Sequence, residues 1–421
     1  MIYVCLSRMM LLFRQITEVY AAITGGTLLS SPIPFSKGDI IFCLLSDYAK
    51  YFTLTSERDI HLFLINTESF YAHKDQDGKI NGALALTSNP LTILDYQANN
   101  IKYIRTHRPQ VRIKYLPYTD SIPLRSYYKP SSREKDIDVL FYGTLNERRR
   151  KIIDELSSFC RVQRVSFDDV GTQNMWLKRS RIVLDLYFYE NNKVFDYYRM
   201  SYLLSNGIFT IMEEPEAIDY KLEPQLKNYY DYIIAVKYEQ LVPTIRNFLA
   251  KSNEELQRYA LKAQTWFQKA FQMEACIRDL ITQTRIRPLV SEDYETYLPL
   301  VKQLSHYDHP GTKEDFEVYL RKYSEDVRIF VLPDGKELLA AATVFLLKKA
   351  HTNPIAQIED VVVREDLRGR GYGKLLIDYL VDYIQRESCA YKIVLNSNEN
   401  NLIFYEKCGF QPVAHQCKYM L

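Results

Sequence analysis

The chain contains 421 residues, of which 47% are hydrophobic and 25% are charged. These proportions are typical of a folded protein with two or three domains. Its 54 Lys and Arg residues nearly balance 52 Asp and Glu residues, and no basic surplus is available to neutralise phosphates, which argues against a nucleic-acid partner.

The cysteines and histidines bear on redox compartment and metal binding. Seven Cys are scattered along the chain without a CxxC pair, which argues against a disulfide framework and favours a reducing compartment. His306 and His309 are not accompanied by a Cys or carboxylate cluster. We therefore expect a solvated loop there and no metal site.

The opening segment MIYVCLSRMMLLFRQ bears on targeting. It is short and interrupted by Arg, and no run of about 18 apolar residues follows it. We expect a strand and a helix here, no signal peptide and no transmembrane helix. The predicted location is the cytoplasm, or the host cytoplasm if the protein is viral.

Residues 1–128 alternate apolar runs with helical patterns, which favours an α/β architecture. Buried strands are predicted at residues 39–45 (DIIFCLL) and 60–65 (IHLFLI). A polar stretch containing Pro and Ser at residues 128–136 is a candidate linker. It ends the first predicted domain.

Residues 129–284 continue the α/β pattern. IDVLFY at residues 137–142 is a predicted strand that stops at Gly143. Thr144 and Glu147 then form a candidate capping box for a helix. The further predicted elements are a strand at 181–188, a helix at 196–205 that Gly207 ends, and a long helical stretch at 253–282.

A new strand and helix pattern begins at residue 285, so a domain boundary is predicted near Thr284.

Farther along, IEDVVVREDLRGRGYGKLLIDYL at residues 358–380 joins a Val-rich strand to a Gly-rich loop and an amphipathic helix. Such a loop exposes backbone N–H groups, and the helix dipole behind them favours a phosphate. Taken alone, the loop could equally be an ordinary turn with solvated Arg side chains.

Two motifs together point to a family. The loop matches R-x-x-G-x-G, and NLIFYEKCGF follows at residues 401–410. They resemble the GNAT acetyltransferases, which bind acetyl-CoA, over residues 285–421. IEDVVV, RGRGYGK, YKIVL and NLIFYEKCGF resemble more closely the glucosamine-6-phosphate N-acetyltransferases. The resemblance implies an α+β domain with a mixed, splayed central sheet, an amino-sugar acceptor and a homodimer.

The resemblance also implies an acetyl-CoA site. Backbone N–H groups of Val361, Val362 and Val363 would hold the pantetheine arm and polarise the thioester carbonyl. The other implied cofactor-binding residues are Arg368, Gly369, Arg370, Gly371, Tyr372, Gly373, Lys374 and Asn401.

The candidate catalytic residues follow from the chemistry of acetyl transfer within this family. An amine must be neutral to attack the thioester, and a nearby carboxylate can orient it and receive a proton. Glu359 and Asp360 lie where the family holds its sugar, and Tyr405, at the position of the family tyrosine, can protonate the departing thiolate. The alternatives are solvated charges for the two carboxylates and simple packing for Tyr405, one of 34 Tyr.

Position 396 departs from the family pattern. The family carries Asp or Glu after the YKI-x-L strand, whereas this chain has Asn396, and Asn cannot accept a proton from an amine. Either Glu359, Asp360 or water takes that role, or the acceptor differs. A nucleotide-linked amino sugar, such as a 4-amino-4,6-dideoxy sugar, fits as well as glucosamine-6-phosphate.

The first 284 residues resemble a second family. IDVLFYGTLNERRRKIIDEL and YFYENNKVFDYYRMSYLLSNGIFTIMEE resemble the donor half of GT-B glycosyltransferases, a pair of Rossmann-type domains. Segments of residues 1–128 resemble the acceptor half of capsule-type and viral enzymes. Tyr202 departs from the Glu that many GT-B enzymes have there. The nucleotide-sugar contacts that the resemblance implies, without a metal, are Gly143, Arg148, Arg149, Arg199 and Glu213.

The leading hypothesis is a bifunctional enzyme of glycan biosynthesis. Residues 1–128 and 129–284 would form the two halves of a glycosyltransferase using UDP-sugar or another nucleotide sugar, and residues 285–421 would N-acetylate an amino sugar. The first alternative is an acetyltransferase whose N-terminal region only binds a glycan or a partner enzyme. The second has a protein amine as the acetyl acceptor.

Overall fold

A computed structural model of the chain describes residues 1–7, 11–52, 60–67, 91–109, 111–126, 135–166, 169–190, 193–216, 218, 220, 223–271, 273–304, 311–322 and 325–413. The chain divides into two units, Met1–Ile277 and Arg278–Leu421. His306, His309 and most of the predicted linker at 128–136 lie outside the described residues. The three-part division at 128/129 and 284/285 stays a prediction. Within the described ranges, no helix is long and apolar enough to cross a membrane.

The first sheet of the Met1–Ile277 unit is fully parallel, with six strands in the order β2-β1-β3-β4-β5-β6. The strands are β1 Ile2–Cys5, β2 Thr27–Leu29, β3 Ile40–Leu44, β4 His61–Ile65, β5 Leu91–Asp95 and β6 Arg112–Tyr115. Their helices are α1 Leu11–Thr24, α2 Tyr48–Phe52, α3 Ala98–His107 and α4 Ile122–Ser126. Every residue of β5 is buried, as expected when both faces of a parallel sheet are covered. The strands predicted at 39–45 and 60–65 are confirmed.

The second sheet of this unit is also parallel, in the order β11-β10-β9-β7-β8. Its strands are β7 Ile137–Tyr142, β8 Val162–Val165, β9 Ser180–Asp185, β10 Thr210–Glu213 and β11 Ile234–Val236. Its helices are α5 Glu147–Ser157, α6 Val170–Arg179, α7 Tyr197–Ser205, α8 Leu241–Leu249 and α9 Asn253–Ala270. The next helix, α10 Met273–Gln283, includes residues of both units. Both sheets are Rossmann-like, whereas a GT-B arrangement of the two stays a prediction.

One local prediction in this region is wrong, and the structure adds a detail to a second. The cap of α5 is Asn146, whose side chain accepts a hydrogen bond from the Arg149 backbone at 2.9 Å, so Thr144 and Glu147 form no capping box. The helical stretch predicted at 253–282 is present as two helices, α9 and α10, which are separated at Phe271, where the backbone is extended and the ring is buried. Burying that ring takes the chain out of the helical path.

The Arg278–Leu421 unit contains a mixed sheet in the order β12-β13-β14-β15-β16. Its strands are β12 Arg287–Pro288, β13 Val327–Asp334, β14 Glu337–Leu347, β15 Ile355–Val363 and β16 Lys392–Leu395, and its helices are α11 Tyr294–Val301, α12 Lys313–Lys322, α13 Tyr372–Glu387 and α14 Leu402–Lys407. Only the β15–β16 pair among these is parallel. That pairing ends at Ile358 and Leu395, although β15 continues to Val363. The predicted mixed sheet is confirmed.

Candidate active site

A bulge in β15 forms the centre of the candidate site. The register between β14 and β15 shifts between Ala341 and Thr343. Among the described non-Gly residues, Asp360 is the one with a positive φ, at +52°, a conformation that Asp tolerates better than most residues. A bulge leaves its extra residue outside the strand ladder. Backbone N–H groups around the start of Val361–Val363 can therefore serve a ligand.

Two adjacent carboxylates lie at this bulge. Oε1 of Glu359 accepts a hydrogen bond from Nδ2 of Asn396 at 2.8 Å and another from the side chain of Gln357. Oδ2 of Asp360 accepts a hydrogen bond from the Thr343 hydroxyl at 3.3 Å. Partial burial raises the pKa of the Asp360 carboxyl, and the negative charge of Glu359 adds to this effect. The structure thus brings Glu359, Asp360 and Asn396 together, as well as Gln357, which the sequence analysis missed.

A cavity of about 410 Å³ lies between β16 and α14. Its lining includes Asn396 and Ser397 after β16, Tyr405 on α14, and the segment 410–413 that follows α14. The volume is within the range of sites for small molecules. The lining also includes Leu395, the last residue of β16 that pairs with β15, so the cavity lies beside the point where this pairing ends.

Tyr405 lines this cavity and interacts electrostatically with Glu359. Its ring packs against Phe404 and Phe410, with centroid distances of 4.9 Å and 6.3 Å. Burial raises the pKa of the Tyr405 hydroxyl, with smaller effects from Cys408 and from Glu359. The hydroxyl is therefore protonated at neutral pH and can act as an acid. No pattern in the sequence other than the family motif distinguishes it from the other tyrosines.

The Gly-rich loop after β15 leads into the N-terminus of α13. Gly369 and Gly371 have φ values of +79° and +90°, which favour glycine. A Cβ atom on Gly373 would lie 3.2 Å from Cζ of Phe404, so the loop and α14 approach each other closely here. The first N–H groups of a helix lack helical acceptors, and the dipole places positive charge at this end. The arrangement suits an anion such as a pyrophosphate.

Two basic side chains of the loop have protein partners. Arg368 donates to the Val363 carbonyl at 3.3 Å and to the Gln303 side-chain oxygen at 3.2 Å. Lys374 forms an ion pair with Asp378 at 2.5 Å. Both basic residues are exposed, and their roles in cofactor binding stay predictions.

The remaining candidate cofactor residues differ in exposure. Arg370 is exposed on the loop, whereas Tyr372 is partly buried against the hydrophobic core of this unit. The backbone N–H of Asn401 donates to the Asn398 side chain at 3.1 Å, just before α14. Asn401 therefore helps to fix the start of the helix that carries Tyr405.

A second cavity, of about 680 Å³, lies in the Met1–Ile277 unit. The strand order of the second sheet reverses at β7, and open parallel sheets bind ligands at the carboxyl ends of strands beside such a reversal. The lining includes Gly143, Arg149 and Arg199, together with Gln15 of α1. A Cβ atom on Gly143, where φ is +133°, would lie 3.3 Å from the Arg199 guanidinium and 3.4 Å from that of Arg149.

Two of the predicted donor-site residues pair with each other. Arg148 forms a bidentate ion pair with Glu213, and one of its two hydrogen bonds is 2.7 Å long. The Glu213 side chain is 1% exposed, and the lining of the cavity includes neither residue. The pair links α5 to β10.

Arg149 and Arg199 line the cavity but are also bonded within the protein. Arg149 donates to backbone carbonyl groups of Thr144, Leu186 and Tyr187. Burial lowers the pKa of Arg149 to about 10, and the nearby Arg199 adds to this. Arg199 donates to Asp185 at 2.7 Å. Burial raises the pKa of the Asp185 carboxyl to about 6, against the opposing effect of Arg199.

Comparisons with known proteins identify the C-terminal region. The acetyltransferase (GNAT) family matches residues 288–410. Glucosamine 6-phosphate N-acetyltransferase of Arabidopsis thaliana is 32% identical over 140 residues, which are 31% of this chain and 93% of that protein. Glucosamine 6-phosphate N-acetyltransferase 1 of Dictyostelium discoideum is 34% identical over 143 residues, or 32% of this chain and 89% of that protein.

One of the similar solved structures is a glucosamine-6-phosphate N-acetyltransferase. The crystal structure of glucosamine-6-phosphate N-acetyltransferase from Arabidopsis thaliana is 29% identical and covers 32% of this chain and 96% of its own, with a TM-score of 0.30. Among the residues described, no group of three or more His, Cys, Asp or Glu side chains is placed to hold a metal ion. Because the Arabidopsis relative is 32% identical and is matched over 93% of its length, the chain belongs to the acetyltransferase (GNAT) family, whose members use acetyl-CoA.

Proposed function

We propose that the Arg278–Leu421 unit transfers the acetyl group of acetyl-CoA to the amine of an amino sugar. The observation that carries this proposal is the meeting of Glu359, Asp360 and Asn396 at the bulge, beside a cavity that Tyr405 lines. The relatives named above are glucosamine 6-phosphate N-acetyltransferases, which supports an amino-sugar acceptor. Two adjacent carboxylates favour a cationic acceptor.

Acetyl-CoA supplies the thioester in this reaction. In the proposed mechanism, the loop Arg368–Lys374 and the N-terminus of α13 bind its pyrophosphate, and the backbone of Val361–Val363 binds the pantetheine arm and polarises the carbonyl. A carboxylate at the bulge removes a proton from the acceptor ammonium. Tyr405 protonates the departing thiolate, because its hydroxyl keeps its proton at neutral pH.

Two acceptors fit the proposal. Glucosamine-6-phosphate is the substrate named for the relatives, and a nucleotide-linked amino sugar would connect this unit with the rest of the chain. Asn396 favours neither over the other, since its amide group donates to Glu359. The homodimer and the cytoplasmic location stay predictions.

The test is acetyl-CoA turnover, detected as free thiol, against a panel of acceptors. The panel contains glucosamine-6-phosphate, UDP-linked 3-amino and 4-amino sugars, and a Lys peptide. We expect turnover with an amino sugar and none above background with the peptide. Turnover with the peptide alone would overturn the acceptor class.

We propose a second function, sugar transfer from a nucleotide sugar, for the Met1–Ile277 unit. The observation that favours it is the cavity beside the strand reversal, bordered by Gly143, Arg149 and Arg199. Arg149 is occupied by three carbonyl groups, so Arg199 is the better candidate for a diphosphate. The Arg199 guanidinium would then contact both the ligand and Asp185. Arg148 and Glu213 act in this proposal as a structural pair.

Calorimetry with UDP tests this second function. We expect binding by the wild-type chain and at least about 10-fold weaker binding by Arg199→Leu, because a charge-assisted contact is lost. Arg161→Leu, at an exposed ion pair outside the cavity lining, is the matched control. Binding without release of sugar from UDP-sugars in the presence of acceptors would favour the non-catalytic alternative. Absence of UDP binding would contradict sugar transfer from a UDP-sugar.

A further inference from the structure

The two oxygens of the Glu359 carboxylate have different environments. Oε1 accepts hydrogen bonds from the amide groups of Asn396 and Gln357. Oε2 has no hydrogen-bond partner in the part of the chain that the structure describes. An ionised carboxylate can accept about four hydrogen bonds. The two amides therefore occupy one oxygen and leave the other available to a ligand.

The two amide groups reach Glu359 from different elements. Gln357 precedes Glu359 by two positions, so both side chains project from the same face of β15. Asn396 directly follows the last paired residue of β16, where pairing with β15 ends at Ile358 and Leu395. Asn396 thus bridges the two strands where they separate, and it also lines the cavity.

We infer that Asn396 and Gln357 are positioning residues that hold Oε1 of Glu359, so that Oε2 accepts the proton of the acceptor ammonium. The inference rests on the acetyl transfer proposed above and assigns the proton acceptor to β15 instead of position 396. An Asn amide cannot accept that proton, but its N–H groups stabilise the ionised form of a carboxylate. The ionised form is the one that a general base requires.

The proposed step balances its atoms and charges. A primary ammonium gives one proton to Oε2 of Glu359, and its nitrogen attacks the thioester carbonyl carbon. The C–N bond forms, the C–S bond breaks, and the thiolate takes the Tyr405 hydroxyl proton. The new amide nitrogen loses a second proton, which returns through water to Tyr405. The proton on Glu359 passes to solvent, so acetyl-CoA and the ammonium yield an amide, the CoA thiol and one proton.

Two titratable groups share the surroundings of Glu359. Asp360 follows it on the same strand, and the Glu359 charge contributes to the raised pKa of Tyr405 on α14. The other neighbours that contact these carboxylates, Gln357, Thr343 and Asn396, carry no charge. None of these contacting groups is cationic. A negative charge introduced at position 396 would therefore act mainly on the Glu359 carboxylate.

The central experiment is the pH dependence of kcat/KM with the best amine of the panel. Asn396→Asp places a second carboxylate against Oε1, and two such groups share one proton. In the pH profile of kcat/KM, the acid limb is the range where kcat/KM rises as a carboxylic acid loses its proton. We expect the midpoint of this limb to move to higher pH by about one unit or more. Asn398→Asp adds the same charge two residues away, at a side chain that contacts the Asn401 backbone, and it should leave the limb in place.

Further variants remove the Glu359 carboxylate or one of the two amide groups that contact it. Glu359→Gln should lower kcat/KM by about 100-fold or more, the usual cost of losing a general base. Gln357→Leu and Asn396→Leu should lower kcat by roughly 10-fold with the KM for acetyl-CoA unchanged, because they only position Glu359. An acid limb that Asn396→Asp does not move would overturn the inference. A larger loss of kcat/KM from Asp360→Asn than from Glu359→Gln would also overturn it.

Thermal unfolding tests the same contact without an acceptor. At about pH 8 the paired carboxylates of Asn396→Asp repel, and at about pH 4.5 a shared proton relieves the repulsion. We expect Asn396→Asp to have a lower Tm than Asn398→Asp at the higher pH. The gap, which is the Tm difference between the two variants, should narrow at the lower pH. A gap that is absent or independent of pH would contradict the Asn396–Glu359 contact.

The outcomes separate this inference from the proposed function. If only the Lys peptide is acetylated, the amino-sugar proposal is wrong, and the pH series is run on the peptide, because the inference requires only a primary ammonium. If no amine on the panel reacts, acetyl transfer to these amines is refuted, and the unfolding comparison decides the contact by itself.

Discussion

Tyr405 combines a packed ring with a hydroxyl in the wall of the cavity. Tyr405→Phe removes the hydroxyl and keeps the ring contacts with Phe404 and Phe410. We expect kcat to fall by about 100-fold, because protonation of the leaving thiolate is lost, while Tm stays unchanged. Steady-state kinetics and thermal unfolding check this. An unchanged kcat would show that Tyr405 serves packing alone.

Asp360 gives a prediction on stability and pH. Partial burial raises its pKa above the ordinary value of 3.8, so the folded state binds its proton more tightly than the unfolded state does. Stability is therefore lost as pH rises from 3.8 through the raised pKa. Asp360→Asn removes this loss and keeps a residue that tolerates positive φ. We expect a gain of up to about 0.5 kcal/mol at neutral pH, since the carboxyl is only partly buried and solvent reduces the effect.

Denaturant unfolding over a pH series measures this effect. The difference between Asp360→Asn and the wild-type chain should shrink as pH falls toward 3.8, where the unfolded carboxyl takes up its proton. A wild-type chain that is the more stable at neutral pH would contradict the prediction.

At the scale of elements, Gly373 sets how closely the start of α13 approaches α14. A Cβ there would lie 3.2 Å from Phe404 and 3.4 Å from Val363. Gly373→Ala gains helix propensity of about 1 kcal/mol, but crowding costs about 1–3 kcal/mol. We expect a net loss of about 1 kcal/mol and about 10-fold weaker binding of acetyl-CoA, as measured by calorimetry.

Gly311→Ala is the control for this substitution. Its Cβ would lie 3.4 Å from Cβ of Asp315, at the edge of ordinary contact, so both stability and acetyl-CoA binding should be retained. Equal losses in the two variants would show that the Gly373 effect comes from glycine replacement in general, not from the approach to α14.

The sequence predicted elements best where the signal is local. The Val-rich strand, the Gly-rich loop and the helix after it are encoded within about twenty residues, and the structure has them as β15 and α13. The sequence did not identify the cap of α5, because Asn146 and Thr144 are both good caps. The choice between them depends on Arg149, whose backbone N–H donates to the Asn146 side chain and whose guanidinium donates to the Thr144 carbonyl. The bulge at Asp360 has no local sequence signal.

At the scale of the whole molecule, the sequence could not predict which strand ends meet. Arg148 and Glu213 were predicted as separate ligand contacts, yet they are joined across 65 positions of the chain. The Asn396–Glu359 contact spans 37 positions. Periodicity determines which face of an element is buried, whereas the pairing of polar groups depends on strand order, which the residues around each group do not encode.

The division of the chain into two units yields the last prediction. The unit Arg278–Leu421 contains its own sheet and hydrophobic clusters, and the Arabidopsis relative matches this chain over 93% of its length. Residues 278–421 expressed alone should therefore fold and keep acetyl transfer within about threefold of the full chain, since a domain with its own core can fold alone. Thiol release at matched concentrations checks this. Loss of turnover in a folded fragment would show that Met1–Ile277 contributes to the acetyl-transfer site.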